Sequence, residues 1–99
     1  MGYAIEYSGQ VHNRSGISSS ATALPENENR RTVIIQNLGT NPLFVKFGDG
    51  ATTTDFDVVL KGGTANDDGL GGVASFDTLS YTGIITIAGS SPRYTATDF

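Results

Sequence analysis

Between Arg31 and Gly48 the chain reads RTVIIQNLGTNPLFVKFG, two short runs of β-branched and aromatic residues broken by a cluster of turn formers. Runs of this length cannot make helices, and their composition suits pleated strands. The same rhythm continues to the last residue, and helical spacing of apolar positions is almost absent. The expected fold class is therefore all-β: a small antiparallel β-sandwich or β-barrel.

Residues 32–37 and 43–47 are expected to form strands joined as a hairpin across LGTNP. Alternation places Val33, Ile35 and Asn37 on one face and Ile34 and Gln36 on the other. In the second strand Leu43, Val45 and Phe47 oppose Phe44 and Lys46. Both strands thus carry apolar residues on both faces, so the second face is expected to be covered by the N-terminal arm, another sheet or another subunit. Further strands are expected at 56–61, ending on Gly62 and Gly63, at 73–77, at 83–88 with Ile85 and Ile87 on one face, and at 94–98.

The chain has 99 residues, which fits one domain over 30–99 preceded by an arm over 1–29. The arm has few large apolar residues after Tyr7 and holds the polar stretches HNRSG and SSSATALPENEN. A strand or two is expected in it, with isolated Ile17 and Leu24 suited to lying along a neighbouring surface. A plain edge strand followed by a loop fits those residues equally well.

Cysteine is absent, which excludes disulfides, thiolate nucleophiles and cysteine metal motifs. The net charge of −4 and the scatter of six basic residues, paired only at Arg30 and Arg31, argue against a track for nucleic-acid phosphates. The first residues lack the basic start and apolar run of a signal peptide, and Glu6 stands where a myristoylation signal has Ser or Thr. No stretch approaches a membrane span. Synthesis in a cytoplasm, without membrane attachment, is the expectation.

Candidate chemistry is sparse. His12 is the only histidine and has no carboxylate near it in sequence. Ser18, Ser19, Ser20, Ser90 and Ser91 lack any nucleophile elbow or lysine partner. Asp49, Asp55, Asp57, Asp67 and Asp68 offer oxygen to a hard cation, but their spacing is not that of an EF-hand, and Asp, Asn and Gly at these places suit turns. Asp55 and Asp57 would stand about 7 Å apart on one face of a strand, a separation a glycosidase can use, though a solvated strand face is the commoner meaning. Gly69, Gly71 and Gly72 do not open a helix and form no phosphate loop. The aromatic residues, from Tyr3 and Tyr7 to Phe99, are needed largely for a core. Neither a catalytic centre, a metal site nor a cofactor is expected.

The signatures RRTVIIQNLGTNPLFVKFG, VVLKGG, YTGIITIAG and the closing TATDF together resemble a recurrent class of small virion structural proteins of tailed bacteriophages. The resemblance covers 30–99 and implies a β-sandwich or barrel subunit of the capsid-decoration (cement) or head-fibre type. It implies binding to the outside of a capsid, often as a trimer, with the major capsid protein or another virion protein as partner. The protein would be made in the host cytoplasm and reside in the virion. The expected interface comprises Tyr3, Ile5, Tyr7, Ile17 and Leu24 of the arm with Arg30 and Arg31. A carbohydrate- or receptor-binding module of a fibre or tail is the alternative, gripping sugars with exposed aromatics and loop carboxylates.

Overall fold

A computed structural model describes residues 11–13, 20–76 and 81–99. Among the described residues eight strands alternate with turns: β1 (Val11–Asn13), β2 (Ala21–Leu24), β3 (Val33–Asn37), β4 (Leu43–Phe47), β5 (Val58–Leu60), β6 (Val73–Phe76), β7 (Ile85–Gly89) and β8 (Arg93–Asp98). They form two antiparallel four-stranded sheets, ordered β1-β8-β3-β6 and β2-β7-β4-β5. The described residues include no helix, and so none able to cross a membrane. This is an all-β, sandwich-like fold, as the strand rhythm predicts.

The core lies where alternation puts it. Val33, Ile35, Leu43, Val45, Ile85, Ile87 and Tyr94 are completely buried and belong to one cluster drawn from both sheets. Each large aliphatic side chain so placed contributes roughly 1.5–3 kcal/mol. Phe47 adds a ring contact to Phe76 of the other sheet, at 5.2 Å and nearly perpendicular.

The expected hairpin of 32–37 with 43–47 is corrected by the structure. β3 pairs with β6 and β8, whereas β4 pairs with β5 and β7. Residues 38–42 therefore arch from one sheet to the other, and the two strands face each other across the core. The Asn37 side chain, 1% exposed, holds this arch. Its Nδ2 donates to the carbonyls of Asn41, Leu60 and Lys61, and its Oδ1 accepts from the Gly39 amide. The Leu38 amide donates to the Arg93 carbonyl, which ties the arch to β8 as well. Two neighbouring glycines let the chain close around it: a side chain on Gly62 would overlap the Thr40 carbonyl, and one on Gly71 the Asn37 carbonyl.

Part of the second face of β4 is covered from within the chain. Residues 48–57 fold back over it, with Ala51 fully buried. The Thr86 hydroxyl donates to the Gly48 carbonyl and accepts from the Ala51 amide. Phe56 meets Phe44 edge-on at 4.9 Å. A buried threonine on an otherwise aliphatic strand is explained by this loop, whose polar backbone it satisfies.

The stretch read as an arm supplies one strand to each sheet. β1 pairs with β8, and β2 pairs with β7 through a register shift between Thr22 and Leu24.

Candidate interaction surface

Four of the five aspartates singled out in the sequence, Asp55, Asp57, Asp67 and Asp68, are engaged by neighbouring groups. Asp68 caps residues 64–70: its carboxylate accepts from the Thr64 hydroxyl and from the amides of Thr64, Ala65 and Leu70. Asp67, in the left-handed region at φ 62°, forms a two-pronged pair with Arg93. Asp55 pairs with Lys46 at 2.7 Å, and Asp57 accepts from the Phe47 amide. Each of these carboxylates serves the backbone or a basic neighbour, as turn chemistry predicts. No group of three metal-ligating side chains gathers among the described residues.

The Thr64 hydroxyl, followed by the Leu70, Ala65 and Thr64 amides, holds the Asp68 carboxyl down from 3.8 to about 2. A depressed folded value means that the cap is complete above the unfolded carboxyl's range and is lost as pH falls through about 2. A carbon-detected NMR titration is expected to place the Asp68 midpoint near 2, with the Thr64 and Leu70 amides shifting together with it. A midpoint at the ordinary value of 3.8 would contradict this cap.

Of the residues expected at an interface, Tyr3, Ile5, Tyr7 and Ile17 lie outside the described part of the chain. Leu24 and Arg30 are corrected: both lie inside the fold. Leu24 is 8% exposed within the core. Arg30, with its side chain fully buried, bonds through Nε to Asp98 at 3.0 Å. Its remaining nitrogens donate to the carbonyls of Gly83, Pro25 and Tyr81. Arg31 is exposed, and its amide donates to the Phe99 carbonyl. Adjacent arginines thus have opposite roles, one internal and one solvated. His12 lies in β1 with Tyr94 as its register partner. An open depression lined by Glu26, Asn27, Glu28 and Thr82 brings together two carboxylates, an amide and a hydroxyl.

The surface feature with physical content lies elsewhere. The exposed large apolar residues among the described ones are Phe56 at 37%, Val59 at 48%, Leu70 at 56% and Val73 at 57%. All four fall within 56–73, on β5, on β6 or in the chain beside them. β5 and β6 are the last strands of their respective sheets. The Gly72 amide donates to the Lys61 carbonyl at 2.8 Å, which joins the end of β5 to the start of β6 and puts both edges on one side of the sandwich. Register sets Val59 beside Phe44 on the outer face of one sheet and Val73 beside Gln36 on the outer face of the other, so the exposed apolar residues rim the β5–β6 edge of the sandwich rather than form one face. Val59 lies in the quoted VVLKGG signature, and Leu70 and Val73 flank the glycines of GLGGV. The sequence reading did not place any of them at an interface.

Searches against known proteins find no matching family model, no matching curated protein and no matching solved structure.

Proposed function

We propose that this chain is a capsid-decoration (cement) subunit of a tailed bacteriophage, a virion structural protein without catalysis that binds the outer capsid surface as a homotrimer and stabilises the shell. The observation that carries the reading is the gathering of Phe56, Val59, Leu70 and Val73 on the β5–β6 side. A sandwich with exposed apolar residues along one edge suits a subunit that docks on other protein, and the strand signatures of 30–99 resemble those of such subunits. Partner contact on that side would remove the four side chains from water without remodelling the core.

The test is size-exclusion chromatography with light scattering, on the chain alone and mixed with candidate phage shells. A trimer that co-migrates with shells is expected. Substituting Val59→Ser and Leu70→Ser together is expected to abolish co-migration while changing stability by no more than about 1 kcal/mol, since neither side chain belongs to the core. A chain that stays off every shell but binds on a glycan array overturns the reading in favour of the fibre module, for which the partly exposed Phe44–Phe56 ring pair would be the platform.

A further inference from the structure

The β1-β8-β3-β6 sheet ends in two unlike edges. At one edge, β1 begins at Val11, so the first ten residues depart from there. At the other, β6 has no further strand partner among the described residues. The Asn37 amide donates to the Gly72 carbonyl, and Ile35 stands opposite Ala74. Antiparallel alternation then turns the backbone groups of Gly72, Ala74 and Phe76 toward β3 and those of Val73 and Ser75 outward. Val73 and Ser75 are also exposed in their side chains. Such an edge is a template for one more strand.

The first ten residues contain a sequence suited to fill it. In GYAIEYS the residues Tyr3, Ile5 and Tyr7 alternate with Ala4 and Glu6, the period of a strand with one apolar row. Ten extended residues span up to about 33 Å. Reaching the β6 edge of the same copy means crossing three strand spacings, about 14 Å, over the face of the sheet. That crossing uses four or five residues and takes Tyr7 away from any register with β6. A second copy that sets its β6 edge beside β1 needs no crossing.

We propose that residues 3–7 of one copy add as a strand to the outer edge of β6 in the next copy. The contact is head to tail, because donor and acceptor are different edges, and repetition by rotation closes a ring. This rests on the oligomer in the reading above and names what joins its copies. Tyr3, Ile5 and Tyr7 then lie in the row beside Val73, shielding it from water, while Val73 and Ser75 exchange backbone hydrogen bonds with the incoming strand.

The chain has no cysteine, so disulfide trapping can be done on an empty background. One full-length chain carries Ser75→Cys; five others carry Tyr3→Cys, Ala4→Cys, Ile5→Cys, Glu6→Cys or Tyr7→Cys. Each of the five is mixed with the first, refolded together and oxidised. Expected are disulfide-linked pairs of unlike chains, with yields alternating high and low along positions 3–7. Absence of linkage at all five positions overturns the proposal. So does a doubly substituted chain that links only within itself. As a second measurement, Ser75→Pro, which removes an outward donor at an edge where proline is tolerated, is expected to convert the oligomer to single chains in light scattering. An oligomer unchanged by Ser75→Pro counts against the proposal. A linked ring that ignores every shell sinks the capsid reading alone, whereas an unlinked chain that still coats shells sinks the strand exchange alone.

Discussion

An Arg30→Ala chain is expected to lose about 3–5 kcal/mol of folding stability, the cost of breaking a buried ion pair from one side. For a domain whose total is on the order of 5–15 kcal/mol, that is a large share. The reason lies in what the guanidinium satisfies. It joins Asp98 of β8 to the carbonyls of Pro25, Tyr81 and Gly83, so it gathers the chain entering β3, the chain entering β7 and the last strand. Removing it leaves the Asp98 carboxylate, 17% exposed, with only the weaker 3.3 Å bond from Asn27, and strips three half-buried carbonyls of their donor. Urea unfolding measures the effect, and a midpoint lower by about 2 M is expected for a slope near 2 kcal/mol per M. Arg30→Lys keeps the charge but not the fan of donors and is expected to recover less than half of the loss. Asp98→Asn keeps an acceptor for Nε and is expected to be milder than Arg30→Ala. An Arg30→Ala chain as stable as the parent would show that the arginine is not the clamp described here.

How much of this was legible in the residues depends on whether the information is local. Which side of each strand turns inward is a local property, and the alternations of Val33 with Ile35, Leu43 with Val45 and Ile85 with Ile87 all lie as read. Which strand pairs with which is not local. A hairpin and an arch show the same apolar period, and only the buried Asn37, bonded to Leu60 and Lys61 across the core, separates them. The Arg30 clamp escaped for a similar reason. An arginine is most often at the surface, and this one is buried because an acid 68 positions later accepts its bond. The loop over β4 had a visible trace in Thr86, a polar residue in the aliphatic run IITIA. The β5–β6 edge had none, since Val59 and Val73 carry the composition of core residues and are exposed because alternation turns them to the outer faces of strands that fall last in each sheet.

The arch supplies the sharper test of how the two sheets are held in register. Asn37→Asp is nearly isosteric, yet it is expected to destabilise the fold more than Asn37→Ala does. The Asn37 amide points its Nδ2 at three carbonyl oxygens, those of Asn41, Leu60 and Lys61, at 2.8–3.1 Å. A carboxylate in that place would bring a second acceptor against those three and keep only the Gly39 amide as a donor. At 1% exposure the charge would have no water to turn to. Alanine removes the bonds but adds no repulsion, so its cost is set by the polar groups it leaves unpartnered, about 2–4 kcal/mol in total. For Asn37→Asp the loss is expected to be greatest at neutral pH and to shrink as pH falls, because a protonated carboxyl regains a donor toward one of the three carbonyls. Its folded pKa is raised above the unfolded value, so the penalty is smallest below the unfolded pKa and grows as pH rises above it. Urea unfolding of both variants at pH 4 and pH 7 decides the matter. If Asn37→Asp is as stable as the parent at both values while Asn37→Ala is not, the side chain is filling space rather than donating, and the arch is held by its backbone bonds alone.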